Sequence, residues 1–272
     1  MKTYLLAYPA GHSISPHMHR AAFLWAHLKG DYELLEVLPT DFEFTIARLR
    51  TAPNVLGWNV SLPYKERIVS HLDDLSLEAK AIGAVNTVVV RDGRLTGHNT
   101  DAIGFRRSIS NILQTLSPQT QTLVLGAGGA ARAAVYALLG LGIVPWVWNR
   151  TPLRAQNMMA GWGLSHRVYS TQSEIPWSQV GFLVNTTSAG LDGCSTPLAS
   201  RFPQLAPQAW AYDMVYGPHL TPFLQSAEEA GYSTLGGLDM LVEQAREAFK
   251  LWTDVGVPRS VFLNVARQVL SL

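Results

Sequence analysis

Gly126, Gly128 and Ala131 stand at the spacing Gly-x-Gly-x-x-Ala. Short apolar residues lead into them and an alanine-rich stretch follows, which predicts strand, tight turn and helix. Such a turn, running over Gly126, Ala127, Gly128, Gly129 and Ala130, presents backbone N–H groups at the positive end of a helix, where a pyrophosphate can sit. The spacing alone equally suits an ordinary strand-to-helix turn. The residues that follow separate the two readings. The next strand, over residues 144–148, runs into Asn149-Arg150-Thr151, with Arg154 close behind. An NAD site usually carries a carboxylate about 20 residues past the turn, for the ribose hydroxyl. Here a cation and a hydroxyl stand instead, and arginine can grip a 2′-phosphate through two parallel N–H bonds. These residues predict NADP rather than NAD. The turn lacks the Gly-Lys-Ser/Thr ending that a nucleoside triphosphate with Mg²⁺ requires.

A second polar group lies in the first part of the chain. Asn59 and Ser61 alternate with Trp58, Val60 and Leu62. Period two puts the polar pair on one face of a strand, at its C-terminal end, where α/β sheets bind ligands. Lys65 follows just past Pro63. Taken singly, these residues also describe a half-exposed edge strand with a surface lysine. Ser15 before Pro16 reads as a helix N-cap, Asp101 as a first-turn acid, and Asn86 as a bend residue. Gln244 lies one helical turn from Met240. His12, His17 and His19 lack the cysteine or carboxylate partners of a zinc site, and positions two apart on a helix diverge, so no metal is expected.

The elements needed to hold these groups are legible in outline. The chain has 272 residues, 47% of them hydrophobic, enough for one or two domains with large cores. Its net charge is +1 with no run of basic residues, which leaves nucleic acid and anionic membrane surfaces without a footprint. The most apolar run, residues 133–148, is shorter than the roughly 20 residues a bilayer needs and contains Gly140, Gly142 and Pro145. One cysteine, Cys194, and a start too weakly apolar for a secretory signal point to a cytoplasmic protein.

Strands are predicted over residues 2–7, 32–37, 56–62, 84–91 and 95–98, the last two joined at the hairpin signal Asp92-Gly93. Helices are predicted from Ser15, over 41–49 and from Asp101 to about Leu116. Beyond that, strands at 122–125, 144–148, 168–169, 182–185, 209–213 and 232–235 alternate with crossover segments. This predicts a doubly wound, mostly parallel sheet with helices on both faces. Gly236-Gly237 is a candidate hinge, and helices over 240–254 and 259–270 close the chain. The expected fold is α/β in two domains. A mixed α/β substrate-binding and catalytic domain comprises residues 1–100 with 238–272, and a Rossmann-type domain spans 101–237.

Blocks of residues now fall into an ordered series. They are His12-Ser13-Ile14-Ser15-Pro16, Asn59-Val60-Ser61-Leu62-Pro63-Tyr64-Lys65, Ile82-Gly83-Ala84-Val85-Asn86-Thr87 and Gly97-His98-Asn99-Thr100-Asp101, followed by the glycine turn and Asn149-Arg150-Thr151. Then come Asn185-Thr186-Thr187-Ser188-Ala189-Gly190, Asp213-Met214-Val215-Tyr216 and Gly237-Leu238-Asp239-Met240-Leu241-Val242-Glu243-Gln244. This series closely resembles the shikimate dehydrogenase family over nearly the whole chain. The resemblance implies NADP-dependent interconversion of 3-dehydroshikimate and shikimate, a step toward chorismate and the aromatic amino acids. It implies Lys65 and Asp101 as the catalytic pair, and Ser13, Ser15, Asn59, Ser61, Asn86 and Gln244 as substrate contacts, with Tyr216 nearby. It adds Thr187, Met214 and Gly237 to the cofactor site. The implied partner is a small molecule, and the implied assembly a monomer or homodimer.

That chemistry suits these residue types. Hydride arriving at a ketone carbon leaves charge on oxygen, and an ammonium can supply the proton, or a neutral amine take it back in reverse. A carboxylate can hold the lysine through a charge-assisted bond. Serine and amide side chains suit a polyhydroxylated, carboxylated ring. Two departures from the family pattern stand out: the opening loop reads Ala7-Tyr8-Pro9, and Ser61 stands where threonine is common. Alternatives are a relative that also accepts quinate, a methylene-folate dehydrogenase of similar plan, whose own substrate motifs are not seen, and a non-catalytic NADP-binding sensor.

Overall fold

The computed structural model describes residues 1–11, 13–198 and 201–272; His12 lies outside them. The chain divides into two compact units, Met1–Gly104 with Leu241–Leu272, and Phe105–Met240. The divisions fall inside two helices, whereas the sequence places them just ahead of each helix. The reason at the first is local: Asn99 Oδ1 accepts from the backbone N–H groups of Asp101 and Ala102, while its Nδ2 donates to Ala84 O. The start of that helix is thereby fastened to the first unit.

The first unit opens with β1 (Lys2–Ala7), α1 (Ser15–Trp25), β2 (Asp31–Glu36), α2 (Phe42–Thr51) and β3 (Val55–Val60). Next come β4 (Asp74–Leu75), α3 (Leu77–Ile82), β5 (Thr87–Arg91), β6 (Arg94–His98) and the start of α4 (Asp101–Ser108). Its six strands run in the order β2-β1-β3-β5-β6-β4. The first three pair in parallel, β3–β5 and β5–β6 pair antiparallel, and β1 is buried from Thr3 to Ala7. The β5–β6 turn takes positive φ at both Asp92 and Gly93, as a two-residue hairpin of this twist demands. Trp58, Phe42, Tyr64 and Leu6 fill one core of the unit, all but inaccessible to solvent.

Several sequence expectations are corrected here. α1 begins at Ser15 itself, with Ile14 at the cap position and no side-chain cap. Ser15 is therefore not the N-cap; instead its N–H donates to Ser13 Oγ at 3.3 Å. β3 stops at Val60 because Ser61 enters a turn, its carbonyl accepting from Tyr64 N–H, although its own N–H still pairs with Leu6 O. Residues 84–86 precede β5 rather than open it. The single helix expected to run to Leu116 is broken at Ile109 into α4 and α5 (Ser110–Leu113). Ser108 and Ser110 hydroxyls donate back to Phe105 O and Arg107 O, competing with the helical ladder.

The second unit carries α5, β7 (Gln121–Leu125), α6 (Gly129–Leu139), β8 (Trp146–Trp148), α7 (Pro152–Ala160), β9 (Val168–Tyr169) and β10 (Val180–Asn185). It continues with β11 (Trp210–Asp213), α8 (Pro222–Glu229), β12 (Ser233–Gly236) and the first turn of α9 (Leu238–Thr253). The order β12-β11-β10-β7-β8-β9 is parallel throughout. This is the doubly wound arrangement in which strand order reverses beside the first strand, here between β7 and β10.

The rest of α9, with α10 (Arg259–Leu270), belongs to the first unit. There it packs around His19 of α1. His19 is fully buried, stacked on Tyr32 with centroids 4.3 Å apart, and ringed by Phe249, Trp252 and Phe262. His17, two residues earlier, faces solvent. Neither His19 ring nitrogen has a hydrogen-bond partner among the described residues, and burial holds its pKa down at about 3. The unfolded chain then takes up a proton below about pH 6.5 that the folded chain refuses, so stability falls as pH drops through that range. His19→Phe is expected to remove this dependence. Thermal melts at pH 7 and pH 5 should show the wild type losing on the order of 2 kcal/mol more than the variant on acidification.

Candidate active site

In the first unit the polar residues singled out from sequence converge. Lys65 follows the β3 turn, its carbonyl accepting from Val85 N–H. Its Nζ lies 2.6 Å from Asp101 Oδ2, with side chains 17% and 7% exposed. An ion pair this enclosed loses several kcal/mol of hydration per charge, which is offset only when the remaining lone pairs are also satisfied. Asp101 meets that condition, because its Oδ1 accepts from Asn86 Nδ2 at 2.8 Å. Asn86 is oriented in turn by the Thr100 backbone N–H, which donates to its Oδ1 at 2.7 Å. Gln244, buried on α9, brings Oε1 within 3.4 Å of Asn86 Nδ2, and its own Nε2 is held by Leu241 O. The product is an ammonium held in place beside a carboxylate, able to give a proton to an oxygen that gains charge and to take it back.

The other sequence-predicted residues differ in what they leave available. Asn59 spends both amide hydrogens inside the protein, on Asn86 O at 3.1 Å and Thr87 Oγ1 at 3.0 Å, and its Oδ1 accepts from Tyr32 Oη. Ser15 is buried and Ser61 half-buried; among the described residues, no hydrogen bond engages either hydroxyl. Ser13 Oγ already serves Ser15 N–H. The unusual Ala7-Tyr8-Pro9 loop is tied down by Tyr8 N–H donating to Leu62 O and Ala10 N–H to Glu36 Oε2.

In the second unit the glycine turn lies at the switch point of the sheet. Gly126 has φ +120°, and a Cβ there would stand 2.4 Å from Thr186 Oγ1. Only glycine lets the turn approach the loop after β10 so closely. Thr186 in turn donates through both N and Oγ1 to Leu125 O. Gly128 is different: a Cβ on it would meet nothing within 4 Å. Among the described residues no side chain caps α6, whose N-cap is Gly128, and the first N–H groups of a helix lie at its positive end without intrahelical partners. These residues fit a pyrophosphate. Arg150 and Thr151, just past β8, and Arg154, in the first turn of α7, are exposed, and Asn149 Nδ2 braces the corner on Thr151 O.

Thr187 and Met214 are held from one residue. Asn185 Oδ1 accepts from Thr187 N–H and Oγ1, and Asn185 O accepts from Met214 N–H. Asn185 Nδ2 donates to Asp213, whose carboxylate also accepts from Val215 N–H and Thr221 Oγ1. Burial nevertheless pushes the Asp213 carboxyl up to about 6. Gly237 packs so tightly that a Cβ would stand 2.2 Å from Met214 O. Tyr216, half-buried, follows on the same loop.

Sequence reasoning passed over Tyr32, Thr87, Thr100, Asn185 and Asp213. Four of them stood inside quoted blocks, and their buried polar character was the available signal. Tyr32 stood only at the start of a predicted strand.

Family profiles match at both ends of the chain: the shikimate dehydrogenase substrate binding domain over residues 5–88, and the shikimate 5'-dehydrogenase C-terminal domain over residues 237–267. A shikimate dehydrogenase (NADP(+)) of Staphylococcus epidermidis is 36% identical over 273 residues, covering 99% of this chain and 98% of the relative. The crystal structure of shikimate 5-dehydrogenase from Thermus thermophilus, in complex with NADP(H) and shikimate, is similar with a TM-score of 0.86 and 38% identity. The match covers 99% of this chain and 100% of that one. Quinate dehydrogenase from Corynebacterium glutamicum, in complex with NAD, is similar at a TM-score of 0.83 and 28% identity over 100% of this chain and 99% of that one.

Two glycine substitutions should separate folding from binding at the turn. Gly126→Ala is expected to lower stability by about 1–3 kcal/mol, from strained φ and the collision with Thr186. Gly128→Ala is expected to melt like the wild type. Calorimetry of the two variants, without added ligand, checks both.

Proposed function

The chain belongs to the shikimate dehydrogenase family, and on that premise we propose that it interconverts 3-dehydroshikimate and shikimate with NADP(H), acting as an oxidoreductase on a CH–OH group. The observation that carries this reading is the enclosed Lys65–Asp101 pair, with the second carboxylate oxygen bound to Asn86. NADPH, when bound, supplies the hydride. The Lys65 ammonium delivers a proton to the substrate oxygen as charge develops there; in the oxidation direction the neutral amine takes that proton from the hydroxyl. Asp101 keeps the lysine aimed in both directions and compensates its charge whenever it is an ammonium.

Ser13, Ser15, Ser61 and Gln244 are assigned to the substrate's hydroxyl and carboxylate groups, because each keeps a hydrogen to donate; Asn86 stands with them, its amide engaged by Asp101, Gln244 and Thr100. Asn59 has one lone pair of Oδ1 to offer. A site built this way rejects analogues that lack a hydroxyl, since its own polar groups would be left unpaired. Tyr216 is assigned near the substrate. The backbone of Gly126, Ala127, Gly128, Gly129 and Ala130 is assigned to the pyrophosphate, and Asn149, Arg150, Thr151 and Arg154 to the 2′-phosphate. Thr187, Met214 and Gly237 complete the cofactor site. The intact lysine–carboxylate pair argues against a sensor without turnover. Among the described residues no helix is long and apolar enough to cross a membrane, and a single cysteine supports a reducing, cytoplasmic setting. A monomer or homodimer is the proposed assembly.

A second reading, use of quinate beside shikimate, has Ser61 in its favour: a methyl smaller than the threonine common there, it leaves room while keeping the hydroxyl.

Following NADP reduction with shikimate tests the function, and repeating it with quinate and with NAD sets the specificity. Turnover with shikimate and NADP is expected to exceed both alternatives, and no turnover with shikimate would overturn the reading. Lys65→Ala is expected to lower kcat by about 10²- to 10⁴-fold with a modest change in KM for shikimate. Arg150→Ala is expected to weaken NADPH binding by about 10-fold while leaving NADH binding unchanged, measured by fluorescence titration.

A further inference from the structure

The Lys65–Asp101 pair is the end of a longer chain of hydrogen bonds that begins in the aromatic core of the first unit. Tyr32 Oη donates to Asn59 Oδ1 at 2.8 Å. Asn59 Nδ2 donates to Thr87 Oγ1 at 3.0 Å, and Thr87 Oγ1 donates to Asn86 Oδ1 at 3.1 Å. Asn86 Nδ2 then donates to Asp101 Oδ1, and Asp101 Oδ2 receives Lys65 Nζ.

The direction of these bonds is set by groups that cannot reverse. Asn59 Nδ2 also points at the carbonyl of Asn86, which can only accept, so the Asn59 amide cannot flip. The Thr100 backbone N–H, which can only donate, holds Asn86 Oδ1. Thr87 receives a hydrogen from Asn59, so its own hydrogen goes on to Asn86 Oδ1, directly or by way of Thr100 Oγ1, which lies 3.2 Å from both Thr87 Oγ1 and Asn86 Oδ1. Tyr32 is fully buried and sandwiched against His19 at an interplanar angle of 3°. A phenol pinned in this way has few other positions for its hydroxyl.

We propose that Tyr32 is a positioning residue for the reaction: its hydroxyl, acting through Asn59 and Thr87, fixes the amide of Asn86 and with it the carboxylate that holds Lys65. Aligned hydrogen bonds in a low-dielectric interior polarise one another, so a donor at one end strengthens the bond at the other. The proposal rests on the dehydrogenase reading in one respect, that Lys65 and Asp101 are the reacting pair.

The test is a double-mutant cycle. Tyr32→Phe removes only the hydroxyl and keeps the ring stack. It is expected to lower kcat about 3- to 10-fold, the range of one net hydrogen bond, with KM for NADP unchanged. In an Asn59→Ala background the same substitution is expected to do nothing further, because its route to Asp101 is already cut. Should Asn59→Ala fail to fold, Thr87→Val breaks the chain one bond along and takes its place. Unchanged kcat in Tyr32→Phe, or equal losses in both backgrounds, would overturn the proposal, since packing alone would add. A readout free of substrate accompanies the cycle: the rate of reductive methylation at Lys65, followed by mass spectrometry. That rate is expected to rise in Tyr32→Phe, and an unchanged rate counts against the chain. If the wild type fails to oxidise shikimate, the dehydrogenase reading falls while the labelling still decides whether Tyr32 reaches Lys65.

Discussion

Burying a lysine and an aspartate against each other is unfavourable unless every remaining polar atom around them is served. Much of the first unit can be read as the answer to that constraint. Asn86 occupies the free oxygen of Asp101, Thr100 orients Asn86, and Asn99 fixes the start of the helix that carries Asp101. The β5–β6 hairpin brings Asn86 and His98 to adjacent positions, and Asn86 N–H pairs with His98 O. Asp101 is thus delivered three residues past the last strand. α9 returns from the far end of the sequence to add Gln244. The same helix carries Phe249 and Trp252, which pack on His19, so the hydrophobic closure of the unit and the completion of its polar network are one event.

The second unit solves a different problem, that of holding loops rather than charges. Its turn and the segments after β10, β11 and β12 meet at the C-terminal edge of the sheet. There Gly126 and Gly237 remove the side chains that would keep them apart. Asn185 and Asp213 supply the bonds that keep those loops together. The interior carboxylate is a costly way to do this, because burial disfavours its charged form. Its three donors are what make it tolerable.

Lys65 and Asp101 were legible in sequence only as members of blocks. Lys65 by itself reads as a surface lysine, and Gln244 as one more polar residue on an amphipathic helix. No local rule says that residues 65, 86, 101 and 244 meet. The misses have a common physical character. Ser15 has a capping side chain but was taken into the helix because Ser13 accepts its N–H. Serines at 108 and 110 broke a helix that apolar spacing alone carried through. These misses aside, the residue type of Asn59 does not reveal that most of its capacity is spent on Asn86, Thr87 and Tyr32.

The sequence by itself determined the parallel, doubly wound second half and the order of the blocks. The first follows from short-range rules: turn chemistry and strand and helix periods. Only the tertiary structure decided which polar side chains remain available and which are consumed by their neighbours. Hydrogen-bond capacity is a property of the whole environment of an atom, and the partners of Asn86 lie at residues 59, 60, 87, 98, 100, 101 and 244. That set comes together only when the sheet and the returning helix are both in place.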